Sequence, residues 1–148
     1  GSCAMETGGY KGRSRALPKA ALHALISQRL GIQPDRIICE YGMSELSSQA
    51  YNGVINSSHT ALGVPRFTQP AARAFRFPPW AGVRIISPET GREVGEGETG
   101  LMRVFDLANV YSVMAIQTED LGVRHGDHFA LVGRAALAEP RGCSLLAA

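Results

Sequence analysis

Apolar positions change their period part-way along the chain. From Leu17 to Leu30, Leu22, Leu25, Ile26 and Leu30 recur at helical spacing; Pro18 suits a first turn and Gly31 a C-terminal stop, so a helix is predicted. Pro34 and Asp35 then turn the chain into an apolar run, Ile37 to Cys39, which reads as a buried strand. The elbow Glu40 to Gly42 leads on to a predicted short helix ending near Tyr51, and Asn52-Gly53 signals a turn. From Val83 the pattern becomes that of strands. Val83 to Ile86, Leu101 to Leu107, Val113 to Gln117 and His128 to Val132 are the candidates, with turns at Pro88 to Gly91, Gly95 to Gly100 and Thr118 to Gly122. The fold class expected is an α/β front, a βαβ-type sheet with helices, followed by an antiparallel β subdomain.

Three stretches carry no such period. Residues 5 to 15 form a glycine-rich basic loop in which Gly8, Gly9 and Gly12 permit close backbone approach to an anion or a nucleotide, and a solvated turn is the alternative. The spacing of a Walker A loop is absent. Residues 61 to 82 interleave Pro65, Pro70, Pro78 and Pro79 with Phe67, Phe75, Phe77 and Trp80, which reads as an irregular aromatic loop, either one wall of a substrate pocket or core filler. Residues 135 to 148 form a polar, flexible tail with a small apolar end. The chain thus reads as one domain over residues 3 to 148, divided into an α/β part (3 to 60), the aromatic loop (61 to 82), a β part (83 to 134) and the tail.

Composition narrows the function classes more than it selects one. At 148 residues with 45% hydrophobic and 19% charged content, the chain has the make-up of an ordinary globular domain. A net charge of +2 with scattered basic residues argues against nucleic acid. No apolar run reaches the roughly 20 residues of a membrane span, and no signal-peptide core is visible, so a cytoplasmic location is expected. Three cysteines at wide spacing, Cys3, Cys39 and Cys143, make no disulfide framework. Cys39, within an apolar strand, reads as a small core residue and His23 as a surface or boundary residue.

Candidate chemistry concentrates where the first strand ends. Tyr41-Gly42-Met43-Ser44-Glu45 sets an aromatic ring, a glycine, a hydroxyl and a carboxylate at a strand-to-helix junction, the place where α/β proteins bind anions. The plainer reading makes Ser44 a helix cap, Tyr41 a half-buried ring and Glu45 a first-turn dipole partner. Cys143, beside Arg141 in the polar tail, is either a reactive thiol or an incidental one. A metal site from His59, His125 and His128 is a weak third candidate.

Taken together, Tyr41-Gly42-Met43-Ser44-Glu45, Thr118-Glu119-Asp120 and Gly133-Arg134 resemble, in order, three motifs of the adenylate-forming superfamily, which includes acyl-CoA ligases. Wider wording, Glu6 to Gly12, Glu40 to Gln49, Phe105 to Asn109, Thr118 to Gly122 and Arg141 to Leu145, looks most like the acyl-protein synthetase (LuxE-type) family, over nearly the whole chain. The resemblance implies activation of a fatty or other carboxylic acid with ATP and Mg²⁺, and transfer of the acyl group to a protein cysteine. An acyl-reductase or other acyl-accepting protein would be the partner. It places the adenine against Tyr41 and Gly42, the α-phosphate at Ser44, Mg²⁺ at Glu45 and the ribose hydroxyls at Asp120. Arg134 would reach ribose or phosphate, Gly8 and Gly9 would approach the base, and Cys143 would accept the acyl group.

Glu119 departs from the pattern, where the superfamily has glycine. No phosphate loop precedes Glu6 and no small domain with a catalytic lysine follows, so the resemblance is to a C-terminal portion of the large domain. ATP turnover by this polypeptide alone is expected to be weak or absent. The competing expectation is a non-catalytic, self-associating binding module, a homo-oligomer that keeps the scaffold.

Overall fold

The computed structural model describes residues 2–7, 17–52 and 74–135. The front of the chain is a βαβ unit. Strand β1 (Ala4–Thr7) pairs in parallel with β2 (Ile37–Tyr41), Glu6 opposite Cys39, and helix α1 (Lys19–Leu30) makes the crossover between them. β3 (Ala50–Asn52) adds antiparallel to the other edge of β2, giving the order β1-β2-β3. Ile37, Ile38, Cys39 and Tyr41 are all buried, as a central strand covered on both faces requires.

The second sheet is a four-stranded antiparallel meander in the order β4-β5-β6-β7. Its strands are β4 (Ala81–Ile86), β5 (Thr99–Asp106), β6 (Ala115–His125) and β7 (His128–Arg134). In β5, Gly100, Met102, Val104 and Asp106 are buried and the residues between them less so, the period-2 signature of a sheet with one face on the core. The two sheets meet through one cluster, in which Cys39, Tyr41 and Ala50 of the first pack with Ile85, Met102, Val104 and Phe129 of the second. Phe75 and Phe77 fill the seam, and Phe75 also exchanges two backbone hydrogen bonds with Phe129. An α/β front followed by an antiparallel sheet is therefore the observed class.

Several expectations need correction. The helix expected between Gly42 and Tyr51 does not form: Ser44 and Glu45 make a turn, the chain runs irregularly to Gln49, and Ala50 opens β3. Serines at 44, 47 and 48 are weak helix formers, and the N–H groups of Ser47 and Ser48 are taken by the carboxylate of Asp106. Asn52, expected in a turn, is the last residue of β3. Thr118 to Gly122 is not a turn but the middle of β6. Residues 5 to 7, expected in a loop, belong to β1, a four-residue strand too short to show a period.

α1 forms where expected and stops at Gly31 in the left-handed conformation. Its inner face is Leu22, His23, Ile26 and Ser27, whereas Leu25 and Leu30 are exposed. The aromatic loop lies outside the described residues up to Arg73. In its described part Phe75 and Phe77 are core residues and Trp80 is half exposed. Among the described residues no helix is long and apolar enough to cross a membrane.

One glycine is demanded by close approach. A Cβ on Gly100 would stand 2.6 Å from the Ile86 carbonyl oxygen and 3.0 Å from Ile85 Cγ2, a backbone clash between paired strands. Gly100→Ala is expected to lower stability by about 2 kcal/mol or more. Gly126→Ala, at a positive φ of 61° with open space around it, should cost only about 1 kcal/mol. Urea denaturation of both variants checks the ranking.

Candidate nucleotide site

Three of the sequence-predicted residues converge. Tyr41 ends β2, Asp120 lies in β6 and Arg134 ends β7 directly opposite it, as register partners. The Tyr41 hydroxyl donates to Asp120 Oδ2 at 2.8 Å, and Arg134 Nε stands 3.5 Å from Asp120 Oδ1. Arg134 also donates to Glu119 at 2.9 Å, so the residue that departs from the superfamily pattern serves here to hold the guanidinium. Thr118, buried, donates to the Met102 carbonyl and accepts from the Asp120 N–H, which sets the backbone bearing Asp120.

The Tyr41 ring is 7% exposed and meets Phe75, Phe77 and Phe129 edge-on, with centroids 6.1, 6.3 and 5.6 Å away. Burial, and then the charge and hydrogen bond of Asp120, push its hydroxyl well above the ordinary tyrosine range. Tyr41 therefore stays protonated and acts as a fixed donor. Asp120 Oδ2 takes that bond, whereas among the described residues Oδ1 has the longer Arg134 contact alone and keeps acceptor capacity facing a cation.

Gly42, Ser44 and Glu45 lie on the loop that leaves β2. Ser44 and Glu45 are exposed, and Ser44 Oγ donates to Glu45 Oε2 at 3.1 Å, so Ser44 is not a helix cap. A side chain on Gly42 would run into Glu40 Oε1 at 2.8 Å and Gln49 at 3.3 Å. Gly8, Gly9 and Cys143 lie outside the described residues, as does His59. His128 pairs with Asp127 at 2.5 Å.

Sequence reasoning missed what shapes this loop. Asp106, 0% exposed, accepts from the N–H groups of Ser47 (2.9 Å), Ser48 (2.7 Å) and Ala108 (3.0 Å) and from Ser48 Oγ (2.8 Å). Asn109 donates to the carbonyls of Glu45 and Val113, and Trp80 Nε1 donates to Ser48 Oγ. Burial would raise the Asp106 pKa, but the Ser48 hydroxyl and the three backbone N–H groups outweigh it and hold the carboxyl below its ordinary range. The available signal was an aspartate closing an apolar strand, Val104-Phe105-Asp106, where a solvent-facing polar residue is the commoner occupant. An open groove of about 610 Å³ adjoins this network, its lining including Ser48, Gln49, Tyr51, Arg76, Phe77 and Trp80.

No family model matches the sequence, and no curated protein matches it at a significant level. Solved structures do match the fold. Apo MatB from Rhodopseudomonas palustris superposes with a TM-score of 0.60 at 20% identity, covering 90% of this chain and 26% of that one. The amide bond synthetase McbA from Marinactinospora thermotolerans gives 0.55 at 20% identity, covering 89% and 26%. McyG A-PCP, solved with phenylalanyl-adenylate, gives 0.57 at 14% identity, covering 90% and 25%. These are adenylate-forming enzymes. The chain thus has a partial adenylate-forming-enzyme fold and spans about a quarter of the length of the structures it matches.

Proposed function

We propose that this chain is the nucleotide- and acyl-binding portion of an ATP-dependent ligase that activates a carboxylic acid as its acyl-adenylate, of the acyl-protein synthetase (LuxE) type. The observation that carries the reading is the Tyr41–Asp120–Arg134 constellation, in which the end of β2 meets the β6-β7 pair although Tyr41 and Asp120 are 79 residues apart in the sequence. Asp120 takes the ribose hydroxyls through Oδ1, Tyr41 holds that carboxylate in place by its hydroxyl, and Arg134 offers a planar cation to ribose or phosphate. Ser44 and Glu45, exposed on the neighbouring loop, face the α-phosphate side. The Glu45 carboxylate is a hard oxygen donor open to solvent, which suits one ligand position of Mg²⁺; that ion neutralises phosphate charge when bound. Gly8 and Gly9 approach the base, and Cys143 is the acyl acceptor on the tail.

Isothermal titration of the purified chain with AMP tests the site. Asp120→Ala is expected to weaken binding at least about tenfold, the loss of a charge-assisted hydrogen-bond acceptor. Tyr41→Phe should weaken it less, because the ring stays and only the hydroxyl that orients Asp120 is lost. Equal AMP affinity in all three proteins would refute the assignment.

A specific surface favours a second reading, a self-associating binding module. Leu107, Val110, Tyr111, Val113 and Met114 are all more than half exposed along one connection between β5 and β6. A stable dimer in sedimentation velocity, together with no AMP binding, would favour that module over the ligase portion.

A further inference from the structure

Glu6, His23 and Cys39 lie outside the constellation described above and are brought together by the βαβ unit. Glu6 and Cys39 are register partners in the parallel pair β1-β2, so their side chains leave the same face of the sheet. α1 carries His23 towards that face. His23 Nε2 is 2.6 Å from Glu6 Oε2, Cys39 Sγ is 3.1 Å from the same oxygen, and Sγ is 3.8 Å from Nε2. One thiol, one imidazole and one carboxylate thus present their donor atoms as a small triangle. Cys39 is the small core residue expected, with its sulfur against polar atoms, and His23 is a boundary residue whose side chain, 11% exposed, turns inward.

We propose that Glu6, His23 and Cys39 are three ligands of a divalent transition-metal ion of the zinc class. In a tetrahedral zinc site the known metal–ligand lengths put donor atoms about 3.3 to 3.6 Å apart. The three separations here straddle that range, so a small withdrawal of His23 from Glu6 makes room for the ion. Soft sulfur, imidazole nitrogen and one carboxylate oxygen form a zinc-type donor set, not a magnesium one. On binding, the Sγ–H bond breaks, its proton goes to solvent and the thiolate pairs with the metal. Thiolate and carboxylate then match the ion's two positive charges. The Glu6 side chain is 16% exposed, which leaves a way in and a fourth position for water. Lys19 stands beside the same carboxylate and thiol, with its ammonium 5.5 Å from the Phe75 ring centre, and is the cation with which a metal competes. Cys39 lies two residues before Tyr41 on the same face of β2, so the metal would brace the strand that delivers Tyr41 to Asp120.

The test uses the full chain with Cys3→Ser and Cys143→Ser, which leaves Cys39 as the one thiol of the three in the sequence. Chelator-stripped protein titrated with Co²⁺ should saturate at one equivalent, with a near-ultraviolet thiolate-to-cobalt band and intense visible bands, and Zn²⁺ should displace the cobalt. Cys39→Ser should abolish the near-ultraviolet band. His23→Ala and Glu6→Gln should each weaken binding at least about tenfold, since a residue bonded to the metal matters no less than the groups that orient it. His125→Ala should change nothing. A folded parent that shows no thiolate band, or one whose affinity is unchanged by His23→Ala, would overturn the proposal in favour of Lys19 as the resident cation. If Cys39→Ser does not fold, X-ray absorption of the zinc-loaded parent decides: one sulfur in the shell supports the site, and a shell of nitrogen and oxygen alone refutes it.

Discussion

Phe129→Ala is expected to lower the free energy of unfolding by about 3 to 5 kcal/mol, the range for deleting a buried aromatic ring. Phe129 is 1% exposed and stacks on Phe75 and on Phe77, with ring centres 5.5 Å apart in each case, while the Tyr41 ring meets it edge-on at 5.6 Å. One side chain of β7 therefore joins the seam segment and the end of β2, and few neighbours can collapse into the space it would leave. Val132→Ala, on the same strand but 57% exposed, should stay within about 0.5 kcal/mol. Urea denaturation monitored by circular dichroism reads both. The truncation should also weaken AMP binding, because Tyr41 loses the packing that aims its hydroxyl. A Phe129→Ala loss below about 1 kcal/mol would mean that the two sheets are not joined through this ring.

Asp106→Asn is the second large effect, about 2 to 4 kcal/mol, since an amide offers one acceptor oxygen where four donors converge and turns its NH₂ against the rest. The same carboxylate gives stability a pH dependence. Its folded pKa lies below the unfolded value, so the native state binds the proton less readily than the unfolded chain does. The stabilisation is fully present above the unfolded pKa, near 4, and is lost as pH falls through the lower folded value. Denaturation midpoints measured from pH 7 down into the acid range should fall for the parent. They should fall less for Asp106→Asn, which starts lower. Parallel pH curves would show that other carboxylates carry the acid sensitivity. Loss of Asp106 should also let the loop of Ser44 and Glu45 move, because Ser47 and Ser48 are its anchor points.

The elements the sequence determined are those whose signal is local. α1 could be read because its apolar spacing, Pro18 and Gly31 all lie within one short window, and its C-terminal stop is where glycine's left-handed φ of 66° places it. Of the strands from Val83 onward, β4, β5 and β7 could be read to within a few positions from the apolar runs between turn residues, whereas β6 was cut short by the turn expected at Thr118 to Gly122. The three site segments could be picked out only by their resemblance, in order, to the motifs of the adenylate-forming superfamily.

Tertiary structure alone decided the rest. Between Gly42 and Gln49 the local signal favoured a helix, but a helix forms only if its own carbonyls take its N–H groups. Here Asp106, 58 residues from Ser48, supplies a buried charged acceptor that competes better. β1 has only four residues, and its strand identity comes from the β2 edge it pairs with. Tyr41 could be placed beside a site, but whether its ring faced a ligand or the core depended on three phenylalanines, two of them in a loop with no period. Glu6, His23 and Cys39 are separated by 17 and 16 residues, and from the sequence Glu6 reads as a loop residue, His23 as a helix residue and Cys39 as a strand residue, with nothing to join them. Their donor atoms meet only because a parallel pair sets Glu6 opposite Cys39 and the crossover helix turns His23 onto that face. Local pattern thus determined which segments are helix or strand, whereas charge and register across distant segments decided what those segments bring together.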